Sequence, residues 1–207
     1  MTLQNKIRSR QEPRILQYKI VYWGPGESGK TTSYMKLLDK YKGEKITNGF
    51  SVATTDDRTL WADCAFLSFN TDLFGVQHQI IVQIATCTGQ ERFLSTREFV
   101  IGGADGVIFV ADSNPAKMDE NIRSFKEVLA FIGNKDIPLL IQLNKRDVPM
   151  AIEIEKFKAM LGLPEEEADE DNHLIVYPCI ATKGADVYPV FHDLIEKILL
   201  RRMLSGL

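Results

Sequence analysis

Cysteine is scarce. Only Cys64, Cys87 and Cys179 occur in 207 residues, scattered and without the paired spacing of a metal site. An odd, unclustered set argues against a disulfide framework and against a structural zinc site, and it fits a reducing compartment, so the cytoplasm is the expected location. No apolar run approaches the roughly 20 residues that a membrane span needs. The first residues, MTLQNKIRSRQEPR, are polar and carry no signal-peptide core. Thr2 and the ending Leu204-Ser205-Gly206-Leu207 offer neither an N-myristoylation nor a prenylation signal, so no intrinsic membrane anchor is expected. A basic excess is missing too: 25 Lys+Arg against 28 Asp+Glu give a net charge of −3, which weighs against a nucleic-acid surface. There is no internal repeat and no linker to a second domain.

What remains is an ordinary globular composition, 44% hydrophobic and 26% charged in 207 residues, enough for a single domain with a full core. Residues 1–17 read as a polar lead-in broken by Pro13, and 18–204 as the domain. Short apolar runs alternate with helix-period segments. Strands are expected at Ile20–Trp23, Asp105–Asp112, Pro138–Leu143 and Leu174–Ile180. Helices are expected at Lys30–Tyr41, Gln90–Ile101, Lys117–Ile132, Ile152–Leu161 and Val187–Leu204, and a hairpin joins Leu60–Asn70 to Val76–Ala85. Such alternation predicts an α/β fold, a mostly parallel central sheet with helices on both faces. The loop from Gly43 to Thr59 is long for a plain connection and is a functional-loop candidate. The acidic run Glu165–Asp171 reads as a solvated loop.

The stretch Tyr18–Tyr34, YKIVYWGPGESGKTTSY, carries the clearest chemistry. A strand-length apolar run breaks at Gly24-Pro25-Gly26 and restarts as a helix after Gly29, and the residues fit Gly-x-x-x-x-Gly-Lys-Thr. Backbone N–H groups of Gly24, Gly26, Glu27, Ser28 and Gly29 can turn inward around an anion, and the helix start adds its positive dipole end. Lys30 can reach the outer phosphates as a compact charge. The hydroxyl of Thr31 can take one Mg²⁺ position, and Thr32 follows it into the helix.

Ligands of an open parallel sheet bind beyond the carboxyl ends of the strands, where a second motif stands: Asn144-Lys145-Arg146-Asp147. The carboxylate of Asp147 can accept from both the ring N–H and the exocyclic amine of guanine, a donor pair that adenine lacks. Lys145 can lay its stem against the ring plane, and Asn144 can tie this turn to the phosphate loop. Ala181-Thr182, after the last strand, can offer the Ala181 N–H to the guanine carbonyl. A third motif is Thr86-Cys87-Thr88-Gly89-Gln90. In small GTP-binding switches the matching segment is usually Asp-x-x-Gly-Gln, with the glycine N–H on the γ-phosphate and the glutamine orienting the attacking water. Thr86 stands at the acidic position and contributes no formal charge, so another group must share the metal. Asp63 is one candidate.

Together these residues resemble the Ras superfamily of small GTPases (the P-loop, small G-protein fold), and most closely its MglA-type bacterial and archaeal branch. Gly24–Thr32, Ala53–Leu60, Thr86-x-x-Gly89-Gln90 and Asn144–Asp147 carry the resemblance, which covers about residues 18–200. Threonine at position 86 is a habit of that branch; Glu27 and the Cys87-Thr88 pair depart from it. The resemblance implies a switch that binds GTP or GDP with Mg²⁺, hydrolyses GTP slowly, works with a dimeric Roadblock/LC7-type partner and controls cell polarity or motility. Thr59 lies in the loop placed to fold over the phosphates, so its hydroxyl or carbonyl can close the Mg²⁺ shell in the GTP state, with Thr54 and Thr55 competing for that role. Arg58 acts as a cation on the γ-phosphate, a role worth about 10³–10⁵ in rate where it operates, or else pairs with Asp56 or Asp57 on the surface. Catalysis is then expected from Gln90, Arg58 and Lys30. Two other classes compete: a regulatory module that holds nucleotide without hydrolysing it, and a metabolic P-loop kinase, against which Asn144–Asp147 and Gln90 stand.

Overall fold

Alternation along the strands decides which helix covers which face. In β1 (Arg14–Trp23), Tyr18, Ile20 and Tyr22 pack on one side and Val21 and Trp23 on the other. The same division continues in β5 (Gly106–Asp112) and β6 (Leu139–Asn144), both buried along their whole length, as expected of parallel strands covered on both faces. Ile108, Val110 and Leu140 join the first face, under α1 (Lys30–Lys40) and α5 (Val187–Leu204). Val107, Phe109, Ile141 and Leu143 join the second, under α2 (Leu94–Ile101), α3 (Met118–Ile132) and α4 (Ile154–Leu161). Phe157 is the one fully buried anchor of α4, so Phe157→Ala would cost about 3–5 kcal/mol and loosen that helix first. The computed structural model describes residues 13–46, 50–53, 59–73, 75–88, 94–163 and 174–204, with the backbone alone at 50–53, 59–62 and 94–96.

With β2 (Phe50–Ala53), β3 (Thr59–Leu73), β4 (Val76–Thr86) and β7 (Val176–Pro178), the described residues form a seven-stranded sheet in the order β2-β3-β4-β1-β5-β6-β7. β2 and β3 are antiparallel, as are β3 and β4; every other pairing is parallel. The chain leaves β1 toward one edge, returns through β4, and crosses to β5 on the other side. The order therefore reverses at β1, and the loop after Trp23 lies at the crevice where such sheets bind ligands.

Three features depart from the sequence expectation. Arg14–Gln17 belong to β1 and not to the lead-in, because their main chain pairs with His78–Ile81 of β4 whatever their polarity. A short strand, β2, lies inside the expected Gly43–Thr59 loop, pairing Phe50 with Cys64 and Ser51 with Asp63. A 3-10 turn at Pro115–Lys117 precedes α3, its first turn capped by Asn114 Oδ1 accepting from the Ala116 N–H. The hairpin is present, with register running from Cys64↔Ala85 to Leu73↔Val76. The acidic run lies outside the described residues. Among the described residues no helix is long and apolar enough to cross a membrane.

Candidate nucleotide site

The loop between β1 and α1 is pressed against the carboxyl ends of β5 and β6. Gly24 has φ 147°, and a Cβ there would stand 2.1 Å from the Val110 carbonyl oxygen. Gly29 has φ 103°, and a Cβ there would stand 2.1 Å from Asn144 Nδ2. Only glycine fits either place. Glu27 adopts φ 63°, turning the loop onward, with its carboxylate 3.9 Å from Lys117 Nζ. Lys30, 6% exposed, donates to the Gly24 carbonyl at 2.9 Å and to the Pro25 carbonyl at 2.6 Å. Its ammonium is thereby folded back over the loop. Burial pulls its pKa from the ordinary 10.5 down to about 8.

Beside this loop, three oxygen-bearing side chains converge from three elements. Thr31 Oγ1 donates to Asp63 Oδ2 at 2.9 Å, and Thr86 Oγ1 donates to the same oxygen at 2.8 Å. The Asp63 N–H in turn donates to Thr86 Oγ1 at 3.1 Å. Asp63 is 1% exposed and Thr86 fully buried. A carboxylate thus stands one hydroxyl away from the position where the sequence lacks one, and it reaches Thr31 directly. Alternation along β3 explains the aim: Asp63 pairs with Ser51 on one side and lies one residue before Cys64, which faces Ala85.

On the base side, Asn144 at the end of β6 is a two-way tie. Its Nδ2 donates to the Ser28 carbonyl at 2.8 Å, and its Oδ1 accepts from the Ala181 N–H at 2.9 Å. The first bond joins the turn to the phosphate loop in the manner the sequence suggested. The second engages the Ala181 N–H, the group expected to meet the guanine carbonyl, and so argues against its use there. The next residue of that turn, the exposed Thr182, is the one left on its outer side. Lys145 takes φ 63° and pairs with Asp112 Oδ2 at 2.7 Å, while Asp147 lies exposed on the same turn.

Arg58, with Thr54 and Thr55, lies outside the described residues, as do Gly89 and Gln90; Thr59 opens β3 but its side chain is not described. Two residues near the site carry no sequence motif. Arg97 on α2, 3% exposed, donates through Nε to the Thr88 carbonyl at 2.8 Å, forms an ion pair with Glu127 of α3, and stands 5.5 Å from the centre of the Trp23 ring. Its signal was a cation three and four residues before Val100 and Ile101, on the buried stripe of a helix. Asp112 is the other; its signal was an acid at the carboxyl end of an otherwise apolar strand.

The donor set suits a hard cation: a hydroxyl at Thr31 and a carboxylate at Asp63 are oxygen ligands of the kind Mg²⁺ takes in small number beside phosphate and water. Among the described residues there is no group of three or more His, Cys, Asp or Glu that would form an all-protein cage. The glycine-walled loop, the buried lysine and the start of α1 at Lys30 suit a polyphosphate.

Comparison with known proteins agrees with this geometry. A model of the ADP-ribosylation factor (Arf) family matches residues 67–198, well over half of the chain. The mutual gliding-motility protein MglA of Myxococcus xanthus (strain DK1622) is 30% identical over 201 residues, covering 93% of this chain and 95% of that protein. The human EF-hand calcium-binding domain-containing protein 4B is 27% identical over 168 residues, which is 81% of this chain and only 20% of that protein. A family match across β3 to α5 and a full-length relative at this identity lead to one conclusion: the chain belongs to the Arf family within the Ras superfamily of small GTPases, proteins that bind guanine nucleotide and hydrolyse GTP.

Proposed function

We propose that this small GTPase is a Mg²⁺-dependent switch in which Asp63 takes over the duty of the carboxylate missing at Thr86. The observation that carries this reading is the contact of one Asp63 oxygen with both Thr31 and Thr86. Mg²⁺, when bound, neutralises charge on the β- and γ-phosphates. The chain's part is positioning. Thr31 supplies a hydroxyl ligand and Asp63 its negative charge, with Thr59 closing the shell from β3. Gly24, Gly26, Glu27, Ser28, Gly29 and Thr32 present the loop and helix start to the phosphates, and Lys30 turns its ammonium from two backbone carbonyls onto the outer phosphate oxygens. Gly89 meets the γ-phosphate, Gln90 orients the water and Arg58 adds a cation as its loop closes. Asn144, Lys145 and Asp147 hold the base, with the Thr182 N–H replacing Ala181 at the guanine carbonyl.

Because MglA bears gliding motility in its name and aligns along nearly the whole chain, the switch belongs to control of motility or polarity. The family resemblance of the motifs adds a Roadblock/LC7-type dimer as regulator, and the three unpaired cysteines support a cytoplasmic location. Asp63 also weighs against a module that holds nucleotide without hydrolysing it, since the acid thought missing has a substitute. Denaturing the purified protein and identifying the released nucleotide tests the base: GDP or GTP is expected, and ADP or ATP would overturn the reading. Single-turnover phosphate release with and without Mg²⁺ separates the hydrolysing enzyme from the binding module.

A further inference from the structure

The turn that reads the base places two cations directly before its carboxylate. Lys145 and Arg146 both have stems long enough to reach Asp147, and an ion pair there would occupy the lone pairs that a base needs. Neither makes it. Lys145 Nζ donates to Asp112 Oδ2 at 2.7 Å. Arg146 Nη1 donates to the Ile152 carbonyl at 2.6 Å and to Ser113 Oγ at 3.3 Å. Among the described residues Asp147 has no hydrogen-bond or ion-pair partner. The holders Asp112 and Ser113 are consecutive at the carboxyl end of β5, 2% and 0% exposed.

Asp112 is itself fixed. Its N–H donates to Asn121 Oδ1 at 3.0 Å, its carbonyl accepts from Asn121 Nδ2 at 2.9 Å, and its Oδ1 accepts from the Asn114 N–H at 2.9 Å. Three bonds leave Oδ2 as a rigid acceptor for one ammonium. Lys145 meets it from a left-handed backbone, φ 63°, a conformation that a non-glycine residue keeps only when its surroundings hold it.

We infer that Asp112 is a specificity-determining positioning residue. By restraining Lys145, while Ser113 and the Ile152 carbonyl restrain Arg146, it keeps the Asp147 carboxylate un-neutralised for a purine that presents a ring N–H beside an exocyclic amine. This rests on the guanine reading of the site. Hydrogen bonds to an ionised acceptor are about twice as strong as neutral ones, so the discrimination gained from the exocyclic amine depends on the charge at Asp147 staying uncompensated.

The test uses the full chain with Mg²⁺ and compares GDP with inosine diphosphate, which lacks only the exocyclic amine. Competition against a fluorescent GDP reads both affinities. Wild type is expected to prefer GDP by about tenfold or more, the usual worth of one charge-assisted bond. Asp112→Asn keeps the size and the Oδ1 acceptor but frees Lys145, and the preference should narrow at least threefold. In a Lys145→Met background the same substitution should leave the preference unchanged, because no cation is released. An unchanged preference in Asp112→Asn, or an equal loss in the Lys145→Met background, overturns the inference. Should Asp112→Asn not fold, Ser113→Ala, which loosens Arg146 alone, should narrow the preference about twofold, and no change there overturns it equally. If wild type binds ADP as tightly as GDP the guanine reading itself fails; if wild type discriminates and the variants match it, the inference fails alone.

Discussion

Asparagine at position 63 preserves the shape of a buried side chain and deletes its charge. Asp63 Oδ2 receives two hydroxyl protons, from Thr31 at 2.9 Å and Thr86 at 2.8 Å. Bonds to a charged acceptor contribute about 1.5–3 kcal/mol and neutral ones about 0.5–1.5, so the pair together weakens by about 2 kcal/mol. Threonine hydroxyls rotate to suit an amide, so the fold should survive, with a melting temperature roughly 4–8 °C lower for a chain of this size. The metal term is separate. A carboxylate that orients metal ligands typically changes metal affinity about 10- to 100-fold when lost. Release of fluorescent GDP from the loaded protein, followed while free Mg²⁺ is set with EDTA, reads that term. The Mg²⁺ concentration at half-maximal retention should rise about 10- to 100-fold in Asp63→Asn, and adding Thr86→Asp should bring it back toward wild type. If the midpoint stays put while the melting temperature falls, Asp63 is a clasp between β3, β4 and α1 and has no part in holding the metal.

The lysine gives a pH signature. Its pKa in the folded chain is about 8 against 10.5 ordinarily, so between those values the unfolded chain holds a proton that the folded chain lacks, and stability from this site rises with pH across that window. A polyphosphate raises the pKa again, so binding should take up a proton between about pH 8 and 10.5 and affinity should fall there; calorimetry at pH 9 in two buffers of different ionisation heat should differ, and identical heats would refute it. Asn144→Ala strands the Ser28 carbonyl and the Ala181 N–H, costing about 2–5 kcal/mol in total and speeding nucleotide release; thermal melts of the loaded protein check this, with a fall of roughly 5–15 °C expected. Gln90→Leu should slow single-turnover GTP hydrolysis at least about tenfold with GTP affinity nearly unchanged, and Arg58→Ala should slow it further where a partner stimulates the rate; unchanged rates would remove each from the mechanism.

The sequence made the layered α/β architecture readable because β5 and β6 are continuous apolar runs and α3 and α5 keep a helical period, signals that depend on local composition alone. Arg14–Gln17 escaped because their strand character comes from pairing with β4, a partner more than sixty residues away in the chain. The phosphate loop was legible because backbone geometry dictates its glycines, and Cβ positions at Gly24 and Gly29 would collide with neighbours from β5 and β6. Asp63 was only a candidate among polar strand residues, since what distinguishes it is the shared oxygen contact with Thr31 and Thr86, set by the register of β3 on β4. Arg97 and Asp112 belong to no motif; both are defined by what they touch across elements.

One amide therefore governs how the halves of a ligand are felt. Because the Asn144 side chain spans from the phosphate loop to the Ala181 turn, ordering either end presets the other, and neither a bare nucleoside nor an inorganic polyphosphate draws on both. A whole nucleotide should bind more tightly than the product of its fragments' affinities suggests, the way a tethered second foothold raises grip without adding surface.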